Sequence, residues 1–360
     1  MARLTRAETQ ERNRDKVLDA AREEFAERGY RDARIDAIAE RAGLTRGAVY
    51  SNFPGKRALY FAVLAALAER VPEGPPPRPV RSGGDALAAF ARAWVSRLPP
   101  AGDDGPGPAR LAMDLMPEVI TDAATRRPFA QLLKLDAILL GLALERLEPA
   151  GRPARRMVRV AEAVLTALHG TAQLAAAAPG FLDPLDAVRV CERLAGLPLD
   201  DDPPPAPGLP PVHHVDEPWS PPPATDAVTG DPLPADGEPD QVVTVLGLHR
   251  LEAAEDAVRA APPDTPVTAV LVTADPGELG ALARLSVAEL CGCLRQAFPA
   301  SARPPLRVVH DPSGAFAAAA GVPAVDDRTE TAIRLASARV TARAQGPGAA
   351  RAVAATPRRG

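Results

Sequence analysis

Apolar residues near the N-terminus of the chain recur at helical spacing. Between Ile35 and Ala42 they fall at positions i, i+3, i+4 and i+7, which predicts one amphipathic helix. Gly43 follows, where a helix commonly ends in a left-handed residue. Thr45 then supplies an N-cap for a second short helix that runs through Tyr50. Two short helices joined by a tight glycine turn make a helix-turn-helix, whose second helix can lie in the major groove of DNA.

The charge pattern around these helices favours a nucleic-acid partner. Residues 41–60 contain no acidic residue and four basic ones: Arg41, Arg46, Lys56 and Arg57. Such a surface suits contact with phosphates, although the net charge of the whole chain is −4. The alternative is an ordinary helical hairpin with a solvated basic face.

Residues 61–200 predict an all-helical region interrupted by proline-rich loops at 72–84 and 99–108. The predicted helices are Arg57–Arg70, Asp85–Leu98, one or two short ones within Met113–Ala124, Phe129–Leu147, Arg155–Ala178 and Asp186–Leu194. No segment has the roughly eighteen consecutive apolar residues of a membrane helix. The charged N-terminus is also unlike a signal peptide. We therefore expect a cytoplasmic protein without a membrane partner.

Residues 201–240 differ in composition from the rest of the chain. They hold thirteen prolines and nine acidic residues but no lysine or arginine. Such a segment buries little apolar surface, which predicts a disordered linker. Alternatively, its acidic residues lie against a basic surface. His213 and His214 lack a neighbouring cysteine or third histidine, so we expect no metal there, and no cofactor elsewhere.

Beyond this segment the chain alternates between strand and helix patterns. The predicted strands are Gln241–Leu248, Val267–Thr273, Leu306–His310, Thr329–Leu335 and Arg339–Ala344. The predicted helices are Glu252–Ala261, Leu279–Phe298, Ala315–Ala320 and Gly348–Ala355. Alternation followed by a hairpin and a helix is typical of a small three-layer α/β domain, here residues 241–356.

The N-terminal pattern resembles the DNA-binding domain of tetracycline-repressor-type (TetR family) transcriptional regulators between residues 12 and 59. The matching segments are Arg14–Arg28, Ile35–Ala39, Ala42–Thr45, Gly47–Tyr50 and the closing residues Asn52, Phe53, Lys56 and Leu59. Arg34 departs from the family, which often has threonine there, and we expect an extra phosphate contact from it. The resemblance implies that the residues contacting double-stranded operator DNA are Arg34, Thr45, Arg46, Gly47, Ala48, Tyr50, Ser51, Asn52 and Lys56.

The same resemblance implies a helix-turn-helix domain at residues 1–60 and a helical effector-binding and dimerisation domain at residues 61–200. Arg155–Ala178 and Leu185–Leu194 would form the contact between two copies of the chain. Such a homodimer would bind a palindromic operator whose half-sites are one helical turn, ~10 bp, or a multiple of it apart. Candidates to line a cavity for an unknown small-molecule effector are Trp94, Met113, Met116, Leu133 and His169, although core packing explains each equally well.

The order of elements after residue 240 resembles thioredoxin-like folds of the peroxiredoxin and thiol-reductase type. The strand and turn at Val309–Ala315, followed by Gly321 and Val322, carry this resemblance. These folds place a reactive cysteine after the first strand, where this chain has Gly247–Arg250. Their proline before the hairpin is also missing. Cys291 and Cys293 would point away from each other on one helix, which favours packing over redox chemistry.

Together these patterns predict a multidomain protein with an all-α helix-turn-helix head and body, followed by a thioredoxin-like α/β domain without enzyme activity. The leading interpretation is an effector-responsive, DNA-binding repressor. Two alternatives assign the C-terminal domain a function of its own. It would be either a redox-active or redox-sensing unit that uses Cys291 and Cys293, or a module that docks a partner protein.

Overall fold

The computed structural model describes residues 5–70, 80–99, 111–147, 155–199, 208–234 and 240–357. Helices and strands are numbered here in chain order. The N-terminal helices are α1 (Arg6–Asp32), α2 (Ile35–Ala42), α3 (Arg46–Asn52) and α4 (Lys56–Glu69). We call residues 5–55 the head and the helical region from α4 to residue 199 the body.

The head has the local geometry that its sequence predicts. Gly29 interrupts the helical backbone of α1 with a φ of 73°. Gly43 ends α2 in the left-handed region at φ 65°, where a side chain is disfavoured. The hydroxyl of Thr45 then accepts a hydrogen bond of 3.2 Å from the backbone N–H of Ala48 and caps α3. The predicted helix-turn-helix is thus present in the structure.

The body contains the predicted helices with small shifts in their bounds. They are α5 (Gly83–Val95), a 3-10 turn (Ala112–Asp114), α6 (Leu115–Thr121), α7 (Ala123–Glu145), α8 (Val158–Ala177) and α9 (Pro184–Leu194). Helix α7 begins six residues before the predicted start at Phe129, because the carboxylate of Asp122 caps it by accepting the N–H of Ala124 at 3.0 Å. Residues 71–79 and 100–110, which include most of the predicted loops at 72–84 and 99–108, lie outside the described residues.

The C-terminal region forms one six-stranded sheet. Its elements are β1 (His213–Pro218), β2 (Asp240–Gly247), α10 (Ala253–Ala260), β3 (Val267–Val272), α11 (Leu279–Ala297), β4 (Leu306–His310), α12 (Ala315–Ala319), β5 (Glu330–Ala336), β6 (Arg339–Gln345) and α13 (Ala349–Ala354). The strand order is β1-β6-β5-β2-β3-β4. Strands β2, β3 and β4 are parallel, whereas β5, β6 and β1 pair antiparallel. An α/β domain with the predicted strands and helices is therefore present.

The prediction of a disordered linker is wrong for residues 208–234. Strand β1 pairs antiparallel with β6 at the edge of the sheet, where prolines are tolerated. Trp219 and Val228 are buried against the domain. Glu217 forms an ion pair of 2.7 Å with Arg343, so the acidic residues lie against basic side chains of β6, as the alternative interpretation expects. Residues 201–207 and 235–239 of the predicted linker lie outside the described residues.

Helix α11 joins the two halves of the chain. One hydrophobic core runs from the head through the body and α11 to one face of the sheet. A second core, around Trp219 and Phe316, covers the other face. Helix α11 packs along α4 and also contacts α5 and α7. The α/β domain is thus part of the body's packing rather than a tethered unit. Among the described helices, none is long and apolar enough to cross a membrane.

Candidate DNA interface and effector cavity

Helix α3 presents a polar face to solvent. Of its seven residues only Val49 is buried, and this side chain anchors the helix to the head. Thr45, Arg46 and Ser51 are exposed, and Tyr50 keeps 42% of its surface exposed. A short helix held by one apolar side and open on the other has the shape of a groove-reading helix.

Arg46 is the exposed cation at the start of α3. Its guanidinium lies 5.5 Å from the ring centre of Tyr50 and 3.3 Å from a carboxylate oxygen of Asp36. Both partners of this ion pair are more than half exposed, so the pair contributes little to stability. Arg46 can therefore exchange Asp36 for a phosphate or a base edge at small cost.

The remaining predicted DNA contacts differ in how exposed their side chains are. Gly47 and Arg34 are exposed, whereas Ala48 is half-buried. Arg34 stands before α2 without capping it through its side chain. The side-chain amide of Asn52 donates 2.8 Å to the carbonyl of Ala48, so this residue fixes the end of α3.

Lys56 begins α4 and is already engaged within the protein. Its ammonium donates 2.9 Å to the backbone carbonyl of Arg31 and lies 4.8 Å from the ring centre of Tyr30. Desolvation lowers the pKa of Lys56, while Glu118 opposes that shift. Because an ammonium has three donors, one contact to Arg31 leaves others for a phosphate.

Arg41, in the last turn of α2, is engaged by acidic side chains of α1. Three carboxylates of α1 surround its guanidinium at 3.3 Å or less: Glu23, Glu24 and Glu27. The basic run at 41–60 therefore overstates the phosphate-facing charge, since acidic residues distant in sequence neutralise Arg41.

The body encloses a cavity of about 730 Å³, including its open mouth. Four of the five predicted candidates line it: Trp94, Met113, Met116 and His169. Leu133 does not, and it packs instead against the main core. Phe129, one turn earlier on α7, takes that place. Helical spacing relates the two residues, but it does not say which of them faces a cavity.

Polar groups from both halves of the chain meet at this cavity. Burial lowers the pKa of His169 to about 4, which leaves a neutral imidazole against the edge of Trp94. Arg97 donates 3.0 Å to the backbone carbonyl of Glu289 on α11. Its Nη2 is buried without a partner within the described residues. Burial also raises the pKa of the Glu289 carboxyl. Sequence patterns did not indicate Arg97 or Glu289, because their contact depends on the docking of α11.

The N-terminal part of the chain matches a known protein family. Residues 17–63 match the family model of bacterial regulatory proteins, tetR family. These residues form a TetR-family helix-turn-helix domain. The chain is similar to the HTH-type transcriptional regulator SrpR of Pseudomonas putida, with 52% identity over 66 residues, which cover 18% of this chain and 30% of SrpR. It is equally similar to the uncharacterised regulator TtgW of Pseudomonas putida over 66 residues, 18% of this chain and 48% of TtgW.

These curated relatives thus match the chain over half of their own length or less. A crystal structure of a TetR transcriptional regulator from Rhodococcus sp. RHA1 aligns over 54% of this chain and 99% of its own, with 21% identity and a TM-score of 0.36.

The TetR-type head rests on the same segment that walls the cavity. A carboxylate oxygen of Asp114, in the 3-10 turn, accepts 3.0 Å from the backbone N–H of Tyr30. The hydroxyl of Tyr60 donates to the carbonyl of Leu111. Arg57 lies 2.6 Å from Asp122, just beyond α6. The segment 111–122 therefore contacts the cavity on one side and the head and α4 on the other.

Helices α8 and α9 leave an apolar surface uncovered in the single chain. Their exposed side chains, with the loop between them, are Leu174 (40%), Phe181 (73%), Leu185 (55%) and Val190 (49%). Exposed apolar side chains grouped on two neighbouring helices are typical of a protein–protein interface. Cys191, on α9, points inward and is fully buried.

The C-terminal domain shows no reactive thiol among its described residues. Cys291 and Cys293 are fully buried on α11. Burial raises the pKa of both thiols, to about 12 for Cys293. Neither carries the low-pKa thiolate that thiol chemistry requires. Within the described residues, no group of three or more histidine, cysteine, aspartate or glutamate side chains could hold a metal ion.

Proposed function

We propose that this protein is an effector-responsive transcriptional repressor that binds a palindromic operator as a homodimer. The exposed face of α3 supports DNA binding, and so do the donors of Lys56, at the start of α4, that the carbonyl of Arg31 leaves available. The apolar surface on α8 and α9 supports the homodimer, because two copies would bury it around a two-fold axis. The interface is expected to lie within Arg155–Ala178 and Leu185–Leu194.

The observation that carries the regulation is the double role of segment 111–122. Met113 and Met116 face the cavity, and Asp114 holds the backbone of Tyr30 in the head. A ligand that displaces this segment changes the position of the head. Effector and operator then bind with a coupling free energy that acts in both directions.

The cavity lining indicates the chemistry of the effector. Apolar side chains form most of the wall, among them the aromatic rings of Trp94 and Phe129 and the thioethers of Met113 and Met116. The polar contacts come from a neutral His169, the guanidinium of Arg97, Gln173 and Glu289. A largely apolar molecule with an aromatic ring and one or two hydrogen-bonding groups fits such a wall. Glu289 makes the α/β domain part of the same site, so the thioredoxin-like domain proposed from sequence has a regulatory rather than a redox role.

Selection of bound DNA from a random pool by the full-length protein tests the DNA-binding proposal. We expect a palindrome, and a molar mass of two chains in solution. Val190→Glu places a charge on the proposed dimer surface and should give a monomer that binds the operator at least ten-fold more weakly. A native dimer of this variant contradicts the assigned interface.

A cavity-filling substitution tests the regulatory proposal without knowledge of the effector. Met116→Trp occupies the cavity and should weaken operator binding about ten-fold, measured by fluorescence anisotropy. Ile120→Trp is the matched control, because Ile120 lies on the same helix and is 65% exposed. Equal affinities of the two variants contradict a coupling through segment 111–122.

A further inference from the structure

A second opening lies between the head and the α/β domain, apart from the body cavity. We call it the cleft, and its empty volume is about 1280 Å³, including open space at its mouth. Its floor is the carboxyl ends of the parallel strands β2, β3 and β4, marked by Leu248, Thr273 and His310. In open parallel sheets this edge is where ligands bind, since the strand ends and following helices leave a crevice.

Two guanidinium groups face this cleft. Arg284 comes from the second turn of α11 and pairs with Glu69 at 2.6 Å. Arg14 comes from α1 of the head and has no ion pair with a carboxylate in the described part of the chain. Desolvation, followed by repulsion from Arg284, lowers the pKa of Arg14. Asp15, the next residue, opposes that shift from a longer distance, so Arg14 is the guanidinium of the cleft without a direct ion pair in the described residues.

The other titratable groups of the cleft lining are a neutral histidine and a carboxylate that is engaged by the turn after β4. His310 is neutral, because burial lowers its pKa to about 4 and Arg284 acts in the same direction. Both carboxylate oxygens of Asp311 already accept hydrogen bonds, 2.8 Å from the N–H of Ala317 and 3.3 Å from the hydroxyl of Ser313. Asp311 is thus directed at the turn and at the start of α12, and Glu69 offsets the charge of Arg284. Arg14 carries the positive charge of the cleft that has no ion pair within the described residues.

Most of the remaining lining is apolar. The side chains that surround the charged groups are Leu248, Leu271, Val272, Pro276, Ala281 and Pro312. From this combination we infer that the cleft binds a small organic anion, a phosphate monoester or a carboxylate with an apolar body. The acid group would lie between Arg14 and Arg284, and the apolar part along the strand ends.

Arg14 links this site to the reading helix. Its Nη1 donates 3.2 Å to the backbone carbonyl of Asn52, the last residue of α3, and its guanidinium stacks 4.4 Å from the ring centre of Phe53. An anion that draws Arg14 into the cleft competes with these contacts. Occupancy of the cleft therefore lowers operator affinity, and by linkage operator DNA lowers affinity for the anion by the same factor.

Titration calorimetry on the full-length protein tests this site directly and does not depend on DNA binding. The probes are phenyl phosphate, benzoate and inorganic phosphate, with benzyl alcohol as the uncharged analogue. We expect saturable binding of phenyl phosphate or benzoate, weaker binding of inorganic phosphate and none of benzyl alcohol. Comparison of the first two identifies the preferred acid group. Absence of saturable binding of both organic anions overturns the inference.

Three variants locate the binding. Arg14→Gln and Arg284→Gln remove one charge each, and Gly280→Leu fills the cleft while keeping both charges. A Cβ at Gly280 has no neighbour closer than 3.8 Å, so the backbone tolerates it. Each variant should weaken binding at least ten-fold, and thermal melts check that each is folded. Arg22→Gln, a half-buried arginine on α1 that does not line the cleft, should bind as wild type does. Wild-type affinity in all three cleft variants contradicts the assignment.

The coupling to DNA is measured separately. Saturating phenyl phosphate or benzoate, whichever binds, should weaken operator binding of the wild-type protein and leave that of Gly280→Leu unchanged. An equal effect on both proteins places the coupling outside the cleft. Because operator binding without an anion is measured in the same series, failure of the cleft is distinguishable from failure of the proposed repressor function.

Discussion

Helices α3 and α11 differ in how much of their surface is buried. Helix α3 has one buried residue among seven and faces solvent with polar side chains. Helix α11 has thirteen buried residues among nineteen and lies between the body and the sheet. A helix open on one side provides a binding surface, whereas one buried on most sides is part of the core. Changes to α3 should therefore alter DNA binding, and changes to α11 the fold.

The largest expected effect comes from removing α11. A chain truncated after residue 199 exposes the faces of α4, α5 and α7 on which α11 packs, and should aggregate or melt at least 10 °C lower. This is the loss expected from uncovering many buried apolar side chains. Calorimetry or circular dichroism measures it, and a chain ending at residue 357 is the control. A truncated protein with wild-type stability shows that the α/β domain does not contribute to the core of the body and is only tethered to it.

Arg46→Ala should weaken DNA binding without changing the stability of the fold. Loss of a base contact weakens operator binding by about 1–3 kcal/mol and relaxes preference at one position, while the melting temperature stays the same. Binding to a panel of single-base operator variants measures both quantities, with Arg22→Ala as control. A uniform loss of affinity across the panel indicates that Arg46 contacts phosphate only.

Asp136→Asn tests the buried junction between α7 and α11. Asp136 accepts 2.7 Å from the hydroxyl of Ser286, and its Oδ1 has no partner among the described residues. Burial raises its pKa well above the usual range, so wild-type stability from this group is present at low pH and lost as pH rises. Glu289 faces the same junction and also has its pKa raised by burial.

The variant cannot ionise, so its free energy of unfolding should exceed that of wild type by about 1 kcal/mol at pH 8. The difference should shrink towards pH 4, the ordinary aspartate pKa. Denaturant unfolding at several pH values measures it, with the exposed Asp186→Asn for comparison. A pH-independent difference shows that Asp136 is ionised in the fold.

Lys56→Ala should change the salt dependence of DNA binding more than the affinity at one salt concentration. Loss of one phosphate contact reduces the slope of log K against log salt by about 0.9. Binding isotherms at four or more salt concentrations give the slope. Lys134→Ala, in the body, should leave it unchanged. An unaltered slope for Lys56→Ala confines this residue to its contacts with Tyr30 and Arg31.

The smallest effect is expected from the cysteines of α11. Because Cys291 and Cys293 are buried with raised pKa values, peroxide should not alter operator affinity. The double variant Cys291→Ala and Cys293→Ala should behave as wild type does before and after treatment. Loss of binding in wild type alone, reversed by a thiol reductant, establishes the redox-sensing alternative.

The sequence by itself determined the helices, strands and turns that depend on interactions between residues close in the chain. Gly43 and Thr45 set the turn of the head through backbone preference and capping, and hydrophobic period located α11 and each strand from β2 to β6. Four cavity residues were also predicted, because apolar side chains on helices of the body have few other places to lie.

Only the tertiary structure decided which partners these elements meet. In the folded chain, glutamates of α1 neutralise Arg41, and Phe129 lines the cavity where Leu133 was predicted to lie. An acidic, proline-rich segment forms an edge strand beside arginines of β6. The tertiary structure also placed Glu289 in the cavity and Arg14 at the cleft. Each outcome depends on contacts between residues far apart in the chain, which follow from the packing of whole elements rather than from local spacing.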